Sequence, residues 1–371
     1  MIEDYKNIGV KMGLLYALIA FIILLPIIVF VHELGHFLLA RLNGVKVEAF
    51  AIGFGKKIVG WRDSYGTEWK ICIIPLGGYV KMVGQSDTPE SAKQKAEKIK
   101  KMSAKEKSES FEFKKRYQKA SIVVAGPLFN FIFGMIVFFG LFFFVGVPDS
   151  SVVVHSVIAE SAAENAGMKD GDKILKMDNV SIVRPSDISK IMGKADGSVI
   201  KMEVLRDDKV VNLSLKPQDD NGVYKLGIMY SSVFSNYKKV GFGGAVKESY
   251  DTTASIVGDT LKGLGQMIVG KRSSKELGGM ISIAQVSGAA LKNGLYSFLY
   301  LMSLISISLG LFNLFPIPVL DGGYLFIYII EGIIRRDLSE EVKEKMFFVG
   351  FMFIIFLLLL SNVNDILRLF K

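Results

Sequence analysis

The sequence predicts a polytopic α-helical membrane protein of about four transmembrane helices, with a membrane-associated β-hairpin and a compact α+β domain outside the membrane. Three observations carry that prediction. Half of the 371 residues are hydrophobic and 27 are Phe. Apolar runs long enough to cross a bilayer, which takes about 20 residues, recur along the chain. The polar stretches between them divide unequally in charge, which gives the chain a sidedness.

The first span is residues 12–40, and Leu14 to Val31 carries no charge. It is too long for the apolar region of a signal peptide and has no small-residue cleavage site, so the expectation is a retained helix, kinked near Pro26. Residues 41–119 form a polar loop with 18 Lys and Arg against 9 Asp and Glu. Its first half, about 45–83, has short β-like runs and many glycines and reads as a hairpin or small sheet. Its second half, Ser86 to Glu112, is rich in Lys, Glu and Ser and reads as a solvated helix or mobile loop.

The second span, 120–147, is uncharged and holds one polar group of note, Asn130. Residues 150–225 change character to alternating β-branched strands with Gly and Asp turns, including a hairpin at Asp207-Asp208. Residues 226–296 read as a linker with an amphipathic helical stretch near Ala245 to Val269. The third apolar segment, 297–334, is broken at Pro316 and Pro318 and followed at once by Asp321-Gly322-Gly323. The fourth span is 347–361. A lone Cys72 excludes an internal disulfide and a cysteine-based zinc site.

The chemistry concentrates in His32-Glu33-Leu34-Gly35-His36, inside the first apolar run. Histidines at i and i+4 lie one above the other on a helix, so both imidazoles reach a single Zn²⁺. Glu33 beside them is placed to take a proton from a water that the ion activates. Ionisable groups within a span are costly unless they pair or bind an ion. From Leu14 to His32 is about 27 Å of helix, which sets the motif towards the far end of the hydrocarbon core.

Topology brings a third ligand to the pair. The loop 41–119 is strongly basic, while residues 147–296 hold 19 Lys and Arg against 17 Asp and Glu, so the basic loop is expected in the cytoplasm. This distribution accounts for the net charge of +9 through the membrane, with no nucleic-acid partner. The first and third spans then run in the same direction, and Asp321 reaches the depth of His32 and His36. His155, the remaining histidine, falls in the external domain. The other reading of Asp321 is a helix-interrupting turn at a membrane surface.

With these parts in order, the chain resembles the site-2 protease family of intramembrane zinc metalloproteases, in its bacterial PDZ-containing branch of regulator of sigma-E protease type. His32-Glu33-Leu34-Gly35-His36 matches the zinc motif, and Asn313-Leu314-Phe315-Pro316-Ile317-Pro318-Val319-Leu320-Asp321-Gly322-Gly323 matches the second motif, whose Asp is the third ligand. Ala125-Gly126-Pro127 with Asn130 resembles the motif of the second span, and Ala163 to Asn179 looks like a PDZ core. Gly53 to Met82 is similar to the family's membrane-dipping hairpin. Only one PDZ-like segment is evident.

The resemblance implies an intramembrane endopeptidase in a bacterial inner (cytoplasmic) membrane, with the PDZ-like domain on the periplasmic side. Its cofactor would be Zn²⁺ on His32, His36 and Asp321, with Glu33 catalytic. Its partners would be the lipid bilayer and single-span membrane proteins cut in regulated intramembrane proteolysis, such as anti-sigma factors or signal-peptide remnants. The PDZ-like domain would bind a peptide terminus or exclude bulky substrates. Asn313 and Asn130 are candidates for hydrogen-bonding substrate backbone, with helix packing the equal alternative. Two other readings stand beside the protease: a polytopic metal-binding transporter and an inactive PDZ scaffold.

Overall fold

A computed structural model describes residues 2–84, 102–182, 185–207, 209–220, 223–273 and 277–369. Its main elements are α1 (Ile2–Leu42), β1 (Val47–Arg62), β2 (Glu68–Met82), α2 (Arg116–Gly140), β3 (Val147–Val157), β4 (Lys173–Met177), α3 (Pro185–Met192), β5 (Ile200–Arg206), β6 (Lys209–Leu215), β7 (Ile228–Lys238), α4 (Phe242–Ile268), α5 (Met280–Lys292), α6 (Leu295–Asn313), α7 (Asp321–Ile334) and α8 (Glu340–Leu369). They divide into two compact units, Met1–Leu141 with Ser249–Lys371, and Phe142–Glu248.

In the first unit, four helices are long and apolar enough to cross a membrane: Leu15–Leu42, Arg116–Val145, Leu295–Asn313 and Glu340–Arg368, counted among the described residues. α1 stays helical through Pro26. Its Ala17, Ala20, Leu24 and Ile28 recur at helical spacing and are buried, with the last three packing on Phe298 and Met302 of α6. Leu15, Leu18, Ile19, Ile22 and Ile23 remain exposed, as do Phe348, Val349, Phe351, Phe356 and Leu359 of α8. Such apolar faces suit hydrocarbon, not water. Small residues let helices approach closely: a Cβ on Gly288 of α5 would lie 2.6 Å from the Ala17 Cα.

The β1–β2 ribbon is more than a hairpin. Residues Ala49–Ile52 pair antiparallel with Gly78–Lys81 on one side and, with partner numbers rising in step, with Glu68–Ile71 on the other. Arg62 back to Lys57 then pairs along Glu68–Cys72. Two long strands thereby fold into a sheet of four short ones. The bends fall at Gly53, Gly55 and Gly77, whose φ angles are +83°, +85° and +111°. A Cβ on Gly53 would lie 2.5 Å from the Ile74 carbonyl oxygen. Phe54, Ile58, Trp61, Ile73 and Ile74 of this sheet are exposed.

The turn of the sheet is tied to the end of α1. Asp63 accepts hydrogen bonds from the N–H groups of Tyr65 and Thr67 and from the Trp69 indole. Arg41 donates to Asp63 and Thr67, and its guanidinium lies 4.3 Å and 4.5 Å from the ring centres of Phe37 and Tyr65. Burial works against the Asp63 charge, but Trp69, Thr67 and Arg41 outweigh it and hold the carboxyl down at about 2. Ser86 to Glu112 falls partly outside the described residues, which resume with a capped short helix at Ala104–Glu109.

In the second unit the sheet runs in the order β7–β3–β4–β5–β6, with Val180–Ser181 paired to β4. Val152 and Val154 of β3, Ile174 and Met177 of β4 and Met202 and Val204 of β5 point into one core with Ala163, Met168 and Ile188. Asp172, fully buried, is gripped at 2.7 Å on both oxygens by Arg206. β7 lies beyond residue 225, where the sequence reading ends the domain, and belongs to this sheet: it pairs with β3 from Ile228–Val157 to Lys238–Val147. Its partner residues lie 71 to 91 positions upstream, which a local pattern cannot reveal.

The carboxyl of Asp63 has a lower value folded (about 2) than its ordinary 3.8, so its contribution is complete above 3.8 and disappears as pH falls towards 2. Trp61 and Trp69 are the only tryptophans and both sit in this sheet. Tryptophan emission of the full chain should hold steady down to about pH 4 and change below it. In Asp63→Ala the emission should already be altered at pH 7; identical pH profiles would contradict the tie.

Candidate metal centre

The centre is assembled from α1, α2 and the turn before α7. On α1, His32 and His36 stand one turn apart with ring centres 4.8 Å apart, edge to face. Asp321 is the first residue of α7, in a helix first turn that favours a carboxylate. The three side chains converge. His32 Nε2 lies 3.2 Å from His36 Nε2 and 3.2 Å from Asp321 Oδ2, and His36 Nε2 lies 3.5 Å from the same oxygen.

Hydrogen-bond bookkeeping shows what this convergence means. His36 Nδ1–H donates to the Ile122 carbonyl at 2.9 Å, so in the neutral ring Nε2 carries a bare lone pair. Asp321 Oδ2 is buried and has no hydrogen-bond donor. Two imidazole nitrogens and a buried carboxylate oxygen thus converge in an apolar setting, a donor set that could hold a metal ion. Ligands about 2.0–2.1 Å from one zinc ion at tetrahedral angles are about 3.3 Å apart. The separations of 3.2, 3.2 and 3.5 Å fit that value.

The space for an ion is kept by glycine. A Cβ on Gly126 of α2 would lie 2.2 Å from His36 Nε2 and 2.9 Å from His32 Cε1. A Cβ on Gly35 would lie 2.3 Å from the Ala125 carbonyl oxygen, so α1 and α2 touch backbone to backbone beside the histidines. The segment between α6 and α7 is equally tight. Pro316 and Pro318 end α6, and Val319 takes φ +93°, an unusual strain for a β-branched residue. A Cβ on Gly322 or Gly323 would lie 2.3 Å from the Leu314 carbonyl or 2.4 Å from the Ile317 oxygen. Only Asp-Gly-Gly lets the turn close and present its carboxylate.

Glu33 is half-buried on the same turn of α1. A Cβ on Gly78 would lie 3.1 Å from Glu33 Cγ and 2.8 Å from Val29 Cγ1, so the edge of the sheet passes directly over the acid. Asn130 is fully buried, with its amide nitrogen position 3.3 Å from His32 Nδ1. Asn313 ends α6, half-buried, and among the described contacts no hydrogen bond joins it to the trio. His155 belongs to the second unit. The sequence reading did not find the Ile122 carbonyl or the neighbourhood of Gly78. The signal for the former was available, since residues 122, 126 and 130 share one face of a helix.

The comparisons agree with this chemistry. The profile of Peptidase family M50 matches residues 20–357. A protein of Rickettsia conorii is 36% identical over 366 residues, covering 96% of this chain and 99% of its own. One of Clostridium perfringens is 33% identical over 358 residues, covering 96% and 99%. Both carry the name putative zinc metalloprotease. The PDZ domain of an SdrC-like protein from Listeria monocytogenes is 25% identical, covering 22% of this chain and 87% of that one, with a TM-score of 0.20. The chain belongs to Peptidase family M50 and is a zinc metalloprotease.

Proposed function

We propose that this metalloprotease is an intramembrane endopeptidase that cuts single-span membrane proteins, with His32, His36 and Asp321 holding zinc and Glu33 as the general base. The observation that carries the reading is the convergence of His32 Nε2, His36 Nε2 and Asp321 Oδ2 within 3.2–3.5 Å, beside a helix whose outer face is apolar and exposed. Zinc, when bound, supplies Lewis-acid polarisation of the scissile carbonyl and makes water acidic enough to act near neutral pH. Glu33 takes the proton of the attacking water and delivers it to the leaving amine.

A transmembrane substrate hides its backbone in its own helical hydrogen bonds, so it must be unwound before cleavage. The strand Gly78–Met82 supports a way to hold it. That strand pairs on one side with β1, while among the described residues no strand pairs with its other side, and it passes beside Glu33. A substrate segment added there is extended and lies against the base. Asn313 is assigned to the exposed substrate backbone on its place in the motif.

The exposed Phe54, Ile58, Trp61, Ile73 and Ile74 support insertion of this sheet into lipid. The excess of Lys and Arg in 41–119 supports a cytoplasmic place for that loop and an extracytoplasmic, periplasmic place for Phe142–Glu248 in a bacterial inner membrane. That PDZ-like unit selects substrates, by engaging a chain terminus or excluding bulky external domains. The physiological role is regulated intramembrane proteolysis.

Purified full-length protein with single-span substrates tests these roles. Glu33→Gln should lower kcat by 10²-fold or more with zinc content unchanged, because it removes the base and leaves the ligands. Asp321→Asn should weaken zinc retention. A Glu33→Gln protein that cuts at the wild-type rate would sink the mechanism.

Gly126→Ala puts a methyl group 2.2 Å from His36 Nε2. It should cost about 1–3 kcal/mol in overpacking and empty the site, seen as sub-stoichiometric zinc by elemental analysis. Full zinc occupancy in that variant would mean the helices open more freely than the packing indicates.

A further inference from the structure

We propose that Asn130 is a positioning residue for the metal ligand His32: its amide oxygen accepts the His32 Nδ1–H and so turns the bare Nε2 towards the ion. The inference rests on the ligand roles proposed above and reassigns a residue first read as a substrate contact.

A neutral imidazole that presents Nε2 to a metal carries its hydrogen on Nδ1, and that N–H needs an acceptor. His36 meets the requirement with the Ile122 carbonyl at 2.9 Å. The group at His32 Nδ1 is the Asn130 side chain, 3.3 Å away. With the amide nitrogen facing the ring, Asn130 Oδ1 is buried with no donor. The two ends of a side-chain amide are distinguished by their hydrogen bonds, not by shape. Exchanging them gives the orphaned oxygen the Nδ1–H donor and gives His32 the tautomer that binding requires.

The placement on α2 is consistent with this role. Residues 122, 126 and 130 fall at successive i+4 positions on one face. The first offers a carbonyl to His36, the second a bare Cα that makes room for both rings, and the third an amide to His32. One stripe of α2 therefore serves as the outer shell of the whole histidine pair. Asn130 is held in place from behind: Ser306 donates to its backbone carbonyl at 3.0 Å, and a Cβ on Gly310 would lie 3.2 Å from its own Cβ.

The test measures zinc retention by the full-length protein against a competing chelator, without substrate. Asn130→Leu keeps the volume and removes the acceptor, so it should bind zinc 10–100-fold more weakly, the usual effect of losing such an outer partner. Asn130→Asp keeps an acceptor and should hold zinc within a few-fold of wild type. Should the Leu protein not fold, Asn130→Ala carries the same expectation.

Wild-type retention in the Leu or Ala variant would overturn the proposal, as would equal loss in Leu and Asp variants with matching drops in the melting temperature of the zinc-free protein. The latter pattern marks a packing role. His32→Ala separates the two layers of the argument. If His32→Ala keeps zinc, the ligand assignment fails; if it loses zinc while the Asn130 variants keep it, only the positioning role fails.

Discussion

The close approach of two imidazole nitrogens and one carboxylate oxygen is the constraint around which the first unit is built. His32 Nε2, His36 Nε2 and Asp321 Oδ2 stand 3.2–3.5 Å apart, and the carboxylate oxygen is buried. Such a donor set, in an apolar bundle, could hold a metal ion, and the ligand role is the one proposed for it. The backbone around it is correspondingly close-fitting. Gly35 and Gly126 let α1 and α2 meet, and Gly322 and Gly323 let the chain turn sharply enough to present Asp321. The strained Val319 sits two residues before the carboxylate. Strain at such a place fits a turn over-determined by its surroundings and kept for the geometry of the site.

The sheet is organised by the same centre. Its glycine bends fold two strands into four, and the outcome is an edge strand that runs over Glu33 with no side chain at Gly78 to block it. The Arg41–Asp63–Trp69 contacts fasten the far turn of the sheet to the end of α1. Glu33 and a strand edge are thus fixed to one helix, so in the proposed mechanism a substrate segment paired with the edge would inherit its register relative to Glu33.

Much of this was legible in the sequence, for identifiable reasons. His32 and His36 are neighbours in the chain at a spacing that a helix makes adjacent, and their apolar setting marks them out. Asp321 is nearly 300 residues away and was reached through the expected direction of the spans; the structure places its Oδ2 3.2 Å from His32 Nε2. What was not legible is tertiary. The parallel pairing of Ala49–Ile52 with Glu68–Ile71 depends on where the glycines bend, and β7 joins β3 across the whole second unit. Asn130 was singled out as polar in a span, but its partner His32 lies on another helix, a contact that no local pattern reveals. Gly126 does its work by having no side chain, which composition does not reveal.

X-ray absorption at the zinc edge of the purified, zinc-loaded protein measures the central claim most directly. The account predicts a first shell of nitrogen and oxygen at about 2.0–2.1 Å, with outer-shell scattering from two imidazoles that falls to one in His32→Ala. Zinc bound with no imidazole scattering, or a spectrum unchanged in His32→Ala, would contradict it.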